Sequence, residues 1–129
     1  MTYEEFLGGK AQLIGNQGFT PSYHPDFLFD FQRFLFDWSV KKGRSALFAD
    51  CGMGKTPLQL AWAESVVRHI NKPVLIATPL AVARQTVKEG AKFGIECHVS
   101  RDGQVKPNIT VVNYEQLHKF DPSRFAGMV

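Results

Sequence analysis

The fold is decided by the stretch Ser45-Ala46-Leu47-Phe48-Ala49-Asp50-Cys51-Gly52-Met53-Gly54-Lys55-Thr56. A short apolar segment ends here in a glycine-bearing turn, and a helical spacing of apolar residues follows Lys55. Glycines in such a turn let backbone N–H groups close around phosphate oxygens, and the following helix adds the positive end of its dipole. The stretch therefore predicts a buried strand over residues 45–49, then a phosphate-binding loop and a helix.

Each residue type in this loop has a chemical role. Lys55 is expected to reach the β- and γ-phosphates, and the Thr56 hydroxyl is expected to bind magnesium. ATP and Mg²⁺ are thus the predicted cofactors, and Lys55 and Thr56 are the candidate catalytic residues. The backbone that would surround the phosphates belongs to Asp50, Cys51, Gly52, Met53 and Gly54. The usual pattern begins with glycine, whereas this chain has Ala49 at that position.

Length and composition set broad limits. The chain has 129 residues, of which 44% are hydrophobic and 21% charged, as expected for one globular domain. The net charge of +3 permits an anionic partner without requiring one. Cys51 and Cys97 are too few for a disulfide framework, which favours a reducing cytoplasm. We expect no signal peptide, no membrane span and no structural metal.

Before the loop, the sequence predicts an irregular arm and an aromatic-rich helix. Residues 1–25 contain a capping-box pattern, Thr2-x-x-Glu5, and then several glycines and prolines. Helical spacing begins at Asp26 and stops at Gly43. Apolar residues occur on nearly every side of this helix, which predicts burial on two sides. The arm, a partner or a missing domain would then cover the second side.

After the loop, apolar strands alternate with helices. Strands are predicted at residues 74–77, 95–99 and 109–112. A helix is predicted to begin at Thr78-Pro79 and end at Gly94, and a short helix is predicted over residues 113–120. Alternation of this kind predicts a parallel sheet with helices on both faces. The phosphate loop, Thr78-Pro79 and Asn113-Tyr114 would then share the carboxyl edge, where ligands bind.

Four segments together resemble superfamily 2 helicases and translocases, closest to the Snf2-like branch and to phage-type helicases. Gln32 resembles the Q-motif glutamine, and Ala49 to Thr56 resembles motif I with alanine in the first position. Residues 77–86 resemble motif Ia, and residues 111–117 resemble the segment before motif II. The resemblance covers residues 26–129. It implies an incomplete three-layer, RecA-like P-loop NTPase fold, preceded by an arm at residues 1–25.

The resemblance also implies roles for individual residues. Gln32 would read adenine, with Tyr23 or Phe19 as a stacking partner, although a solvated helix glutamine and loop packing are the plainer alternatives. Nucleic acid, DNA rather than RNA, would be contacted by five residues: Thr78, Pro79, Arg84, Gln85 and Asn113. An exposed helix face explains Arg84 and Gln85 equally well. The parent protein would be an ATP-dependent enzyme of a bacterial or phage-infected cytoplasm.

Hydrolysis needs groups that this sequence lacks. An acidic pair would hold magnesium and an arginine finger would stabilise the transition state, but the only adjacent acidic pair is Glu4-Glu5. In the family, the acidic motif follows a strand that would begin here at Met128-Val129. We therefore expect the first part of a larger motor, partnered by a second RecA-like domain. Alone it would bind ATP weakly and hydrolyse almost none.

Other readings remain open at this point. An apolar edge at Ala46 to Ala49 would lack a neighbouring strand, which predicts that the isolated chain self-associates through that edge or rearranges to cover it. A P-loop kinase for a small substrate is a second enzymatic possibility. A non-catalytic nucleic-acid-binding or assembly module that retains an unused loop is a third.

Overall fold

The computed structural model describes Thr2, residues 18–44 and residues 55–129. The predicted strand over 45–49, the loop over 50–54 and most of the arm lie outside these residues. Two short 3₁₀-helices, Tyr114–Lys119 and Pro122–Arg124, follow the third strand. The described helices and strands, in chain order, are α1 Asp30–Lys42, α2 Lys55–Ile70, β1 Val74–Thr78, α3 Leu80–Lys92, β2 Cys97–Val99, β3 Ile109–Asn113 and β4 Gly127–Met128.

The four described strands form one sheet in the order β2-β3-β1-β4, and every pairing in it is parallel. Strands β1 and β3 pair over their whole length, from Val74 opposite Ile109 to Thr78 opposite Asn113. Strand β4 pairs with the other side of β1, with Gly127 opposite Val74. The predicted α/β class with a parallel sheet is confirmed.

Both faces of the sheet are covered. Helices α2 and α3 lie on one face, where Leu60 and Ala83 join Ile76 and Val111 in the largest buried cluster. On the other face, the 3₁₀ region brings Phe120 and its neighbours against alternate strand residues, Leu75 and Val112. Alternate strand residues point to opposite faces, so one apolar run supplies both layers. The arrangement is consistent with a three-layer α/β fold.

Helix α1 packs against α2, on the side of α2 away from β1 and β3. Its buried residues, Leu28 in the preceding turn with Phe36 and Val40, form a cluster with Leu58 and Ala61 of α2. On the other side of α1, Phe31, Phe34 and Trp38 are exposed. Cover for this side by the arm, a partner or a missing domain stays a prediction. The helix begins at Asp30 rather than Asp26, since residues 26–28 form a turn.

Several predicted element ends are confirmed with small shifts. Helix α1 ends before Gly43, which has a φ of 77° that a side chain would disfavour. Strands β1 and β3 each run one residue further than predicted, to Thr78 and Asn113. Strand β2 is shorter than predicted, because it begins at Cys97 instead of Ile95.

A cluster of polar side chains joins α2 to the amino ends of the strands. The Asn108 side-chain amide donates to Glu64 Oε2 and to the Glu96 carbonyl, both at 2.8 Å. Glu64 lies on α2 and also accepts from Arg68 Nε at 3.0 Å. The Asn108 carbonyl accepts from the Val74 N–H at 3.0 Å. One residue therefore ties α2 to the starts of β1, β2 and β3.

The charge of Glu64 also affects the pKa of the Cys97 thiol, which is buried in the main cluster. Burial, and after it the Glu64 and Glu96 charges, raise the pKa of Cys97 to about 12. The thiol therefore stays protonated at neutral pH and acts as a small apolar side chain.

Asn108→Ala is expected to destabilise the fold by about 2 kcal/mol, because it removes two hydrogen bonds and leaves the Glu64 carboxylate short of a donor. Asn108 also has a φ of 65°, so Asn108→Gly should recover about 1 kcal/mol of this loss by relieving the left-handed backbone. Chemical denaturation of the two variants measures both effects. Wild-type stability in Asn108→Ala would contradict the role given to this cluster.

Candidate functional site at the carboxyl edge of the sheet

Parallel strands bring their carboxyl ends to one edge of the sheet. Thr78 ends β1 and Asn113 ends β3, and the two are register partners. Neighbouring strands lie about 4.8 Å apart, so the turns that follow these two residues are adjacent. The predicted meeting of Thr78-Pro79 with Asn113-Tyr114 is confirmed.

The beginning of α2 lies at this same edge. Helix α2 ends at Ile70, and a turn through Asn71, with a φ of 61°, leads into β1 at Val74. Helix and strand therefore run in opposite directions, and Leu60 and Val66 pack with Val74 and Ile76. Sixteen residues of helix extend about 24 Å, whereas five residues of strand extend about 16 Å. The amino end of α2 thus reaches the carboxyl edge.

Lys55 and Thr56 form that first turn of α2. Lys55 is exposed and Thr56 is partly buried. The turn contains no acidic side chain, so the positive end of the helix dipole is not offset from within the helix. Such an end with a lysine favours a bound anion. The loop residues Asp50 to Gly54 lie outside the described residues.

Thr78 and Asn113 are buried, and each side chain has a local partner. The Thr78 hydroxyl donates to the Pro79 carbonyl at 3.0 Å. The Asn113 side-chain amide donates to Glu115 Oε2 at 2.7 Å. These contacts shape the turns after β1 and β3. Contact of Thr78 and Asn113 with nucleic acid stays a prediction.

Glu115 is a residue of this edge to which the sequence motifs give no role. Its carboxylate is exposed at the carboxyl edge, and the hydrogen bond from Asn113 holds its pKa below the usual value, helped by a backbone hydrogen bond. The sequence does carry a signal for it, because Glu115 is a carboxylate two residues after the apolar strand β3.

The start of α3 is the exposed part of the motif Ia-like segment. Pro79, Arg84 and Gln85 are all exposed. Gln85 Nε2 makes a long contact of 3.4 Å with Glu89 Oε1. Leu80 and Val82 are also exposed. Helix α3 therefore offers an arginine, an amide and apolar side chains beside the edge of the sheet.

Gln32 and the two aromatic candidates near it have partners within the protein. The Gln32 side chain is only 3% exposed, and its Oε1 accepts the Phe29 N–H at 2.8 Å at the start of α1. The Phe19 ring stacks on His69 with centroids 3.8 Å apart. The Tyr23 ring lies 4.2 Å from the Arg68 guanidinium carbon. Gln32 is therefore buried at the start of α1 and is not the solvated helix glutamine of the plainer alternative, whereas the contacts of Phe19 and Tyr23 fit packing within the protein. Contact of these residues with adenine stays a prediction.

A hollow lies between α2 and β4, beside the end of α1. Leu58, Trp62 and Val66 line it from α2, and Arg44 and Lys55 both border it. Arg44 and Lys55 are the described residues on either side of segment 45–54. Strand β4 is the last of the described strands on this side. The side chains that α2 contributes to the hollow are largely apolar.

Among the described residues, no cluster of His, Cys, Asp and Glu could hold a metal ion. No helix in the same part of the chain is long and apolar enough to cross a membrane. The sequence matches no protein-family model and no curated protein. The function of the site must therefore be inferred from its own residues and geometry.

Gln32→Ala is expected to lower the free energy of unfolding by about 1 kcal/mol, because it removes the acceptor for an N–H at the start of α1. Gln85→Ala is the matched control, since its contact is exposed and long, and should change stability by less than about 0.5 kcal/mol. Denaturant titration of both variants measures the difference. Equal stabilities would show that the Gln32 contact contributes nothing.

Proposed function

We propose that this chain is the ATP-binding part of a nucleic-acid-dependent ATPase of the helicase or translocase type, with a RecA-like P-loop fold. One observation carries the proposal: Lys55 and Thr56, at the amino end of α2, reach the carboxyl edge where β1 and β3 end. This is the edge at which parallel α/β sheets bind ligands. The position of these two residues at this edge supports the proposal.

In this proposal, the start of α2 holds the triphosphate. The Lys55 ammonium pairs with phosphate oxygens, and backbone N–H groups of the preceding loop donate to them. The Thr56 hydroxyl is a ligand for the magnesium that accompanies the nucleotide. An exposed lysine without an acidic neighbour in its own turn fits an anionic ligand. Bound Mg²⁺ supplies charge neutralisation at the phosphates.

Nucleic acid would run past the start of α3. Arg84 is exposed there and suits a phosphate, while Gln85 offers both a donor and an acceptor. Leu80 and Val82 add exposed apolar surface beside them. The track and the nucleotide would thus lie at the same edge, at the ends of β1 and β3 and the start of α2.

The catalytic carboxylates would come from outside this chain. Strand β4 begins at Gly127 beside β1, where the resemblance places the strand that leads to the acidic motif. Glu4-Glu5 is the only adjacent acidic pair in the sequence. We therefore propose nucleotide binding for this chain, and hydrolysis coupled to movement for a larger enzyme with a second RecA-like domain.

Lys55→Ala is expected to weaken ATP–Mg²⁺ binding by about 10- to 150-fold, because a charge-assisted contact contributes about 1.5 to 3 kcal/mol. Lys72→Ala is the matched control: it removes the same charge from an exposed residue at the amino edge, beside the start of β1. Calorimetric titration of both variants gives the affinities. If both variants bind ATP as the wild type does, the phosphate site is wrong.

Arg84→Ala is expected to weaken binding to short DNA duplexes and to lower the slope of log affinity against log salt by about one unit, as for one lost phosphate contact. Lys92→Ala is the control, because Lys92 lies at the other end of α3, about 12 Å further along the helix. Fluorescence anisotropy across a salt series measures both. Equal slopes for wild type and Arg84→Ala would remove α3 from the nucleic-acid track.

A further inference from the structure

Helix α1 presents exposed aromatic side chains along one stripe. Phe31, Phe34 and Trp38 recur at intervals of three and four residues and are 47%, 71% and 38% exposed. Phe29, just before the helix, is 69% exposed, and its ring stacks on Phe31 with centroids 6.3 Å apart. We call these four residues the aromatic stripe. They lie on the side of α1 away from the buried Phe36 and Val40, which pack against α2.

The exposed area of the stripe distinguishes between possible occupants. Aromatic side chains bury about 150 to 250 Å² each, so the exposed parts of these four amount to roughly 350 to 550 Å². A stable interface between separate proteins needs about 800 Å² from each partner. A second copy of the chain would therefore bind weakly through the stripe. A segment of the same chain needs less area, because it is already held nearby.

The N-terminal arm is attached at the end of α1. The Gly18 N–H donates to the Lys41 carbonyl at 2.9 Å, and the Phe19 N–H donates to the Val40 carbonyl at 3.3 Å. A Cβ added at Gly18 would lie 1.8 Å from the Val40 carbonyl oxygen, so only glycine allows this approach. Residues 3–17 lie outside the described residues. Fifteen residues can span about 50 Å, whereas α1 is about 20 Å long.

The sequence of the arm suits the stripe in shape and charge. After the capping-box pattern Thr2-x-x-Glu5, the apolar residues Tyr3, Phe6 and Leu7 have the spacing of one helix face. Glu4 and Glu5 make the same segment acidic.

The stripe itself ends at a basic turn. Lys41 and Lys42 follow Trp38 by one turn and lie to either side of the stripe. Opposite charges would therefore meet at this end. At the other end Asp30 adjoins Phe34 on the helix surface, which makes the stripe a poor track for a polyanion such as single-stranded nucleic acid.

We propose that residues 3–7 of this chain dock on the aromatic stripe of α1, with Tyr3, Phe6 and Leu7 against Phe31, Phe34 and Trp38. The docked arm covers the second side of α1. It also stabilises α1, which ends at Lys42, two residues before Arg44 and the predicted phosphate-loop strand. The contact is independent of the nucleotide and of the proposed ATPase activity.

The test uses Trp38 as a reporter in the full chain, with Trp62→Phe removing the only other tryptophan. Adding Phe6→Ala and Leu7→Ala should raise the acrylamide quenching constant of Trp38 about twofold or more, because the ring loses its apolar cover. Leu13→Ala with Ile14→Ala is the matched control, since it removes similar apolar groups elsewhere in the arm and should leave quenching unchanged. Circular dichroism checks that both variants stay folded.

Three outcomes would overturn the proposal. Equal quenching in the two double variants would show that residues 6 and 7 do not cover Trp38. Protection of Trp38 that falls on dilution would assign the stripe to a second copy of the chain. Protection that arises only when oligo(dT) is added would assign it to single-stranded nucleic acid. Protection that is independent of concentration and lost only with Phe6 and Leu7 supports the docked arm.

Discussion

The parallel pairing of β1 with β3 is the constraint on which the rest of the structure depends. Five consecutive register pairs, from Val74 with Ile109 to Thr78 with Asn113, fix the direction and level of both strands. Every turn that leaves them must then emerge at the same edge, and α2, which runs opposite to β1, must begin there. The position of Lys55 follows from this geometry and needs no contact specific to Lys55 itself.

Much of this arrangement could be predicted from the sequence. Continuous apolar runs at residues 74–77 and 109–112 require cover on both faces, and their alternation with helices implies parallel pairing. The choice of buried face on α1 could not be predicted. Apolar residues occur on nearly all its sides, so periodicity shows that a helix forms but leaves its orientation open. The packing of Phe36 and Val40 against α2 decides it, and this contact joins segments far apart in sequence.

The candidate site was predictable in position and less so in detail. Residue order placed Thr78 and Asn113 at the carboxyl edge, and the structure puts them there. That both side chains would be buried and bonded to their own turns depends on backbone geometry that a motif does not encode. Glu115 shows the same limit, because its hydrogen bond to Asn113 exists only once β3 ends at that residue. The position of Gln32 in the sequence makes it a candidate for binding adenine, yet its side-chain oxygen accepts the N–H of Phe29, just before its own helix.

A backbone amide chemical-shift titration with ATP and Mg²⁺ tests the central claim most directly. The account predicts that the largest shifts occur at Lys55, Thr56 and Leu58 in the first turn of α2, with smaller shifts at Thr78 and Asn113 on the same edge of the sheet. Shifts confined to the opposite edge, at Val74 and Ile109, or no saturable shift along α2, would contradict it.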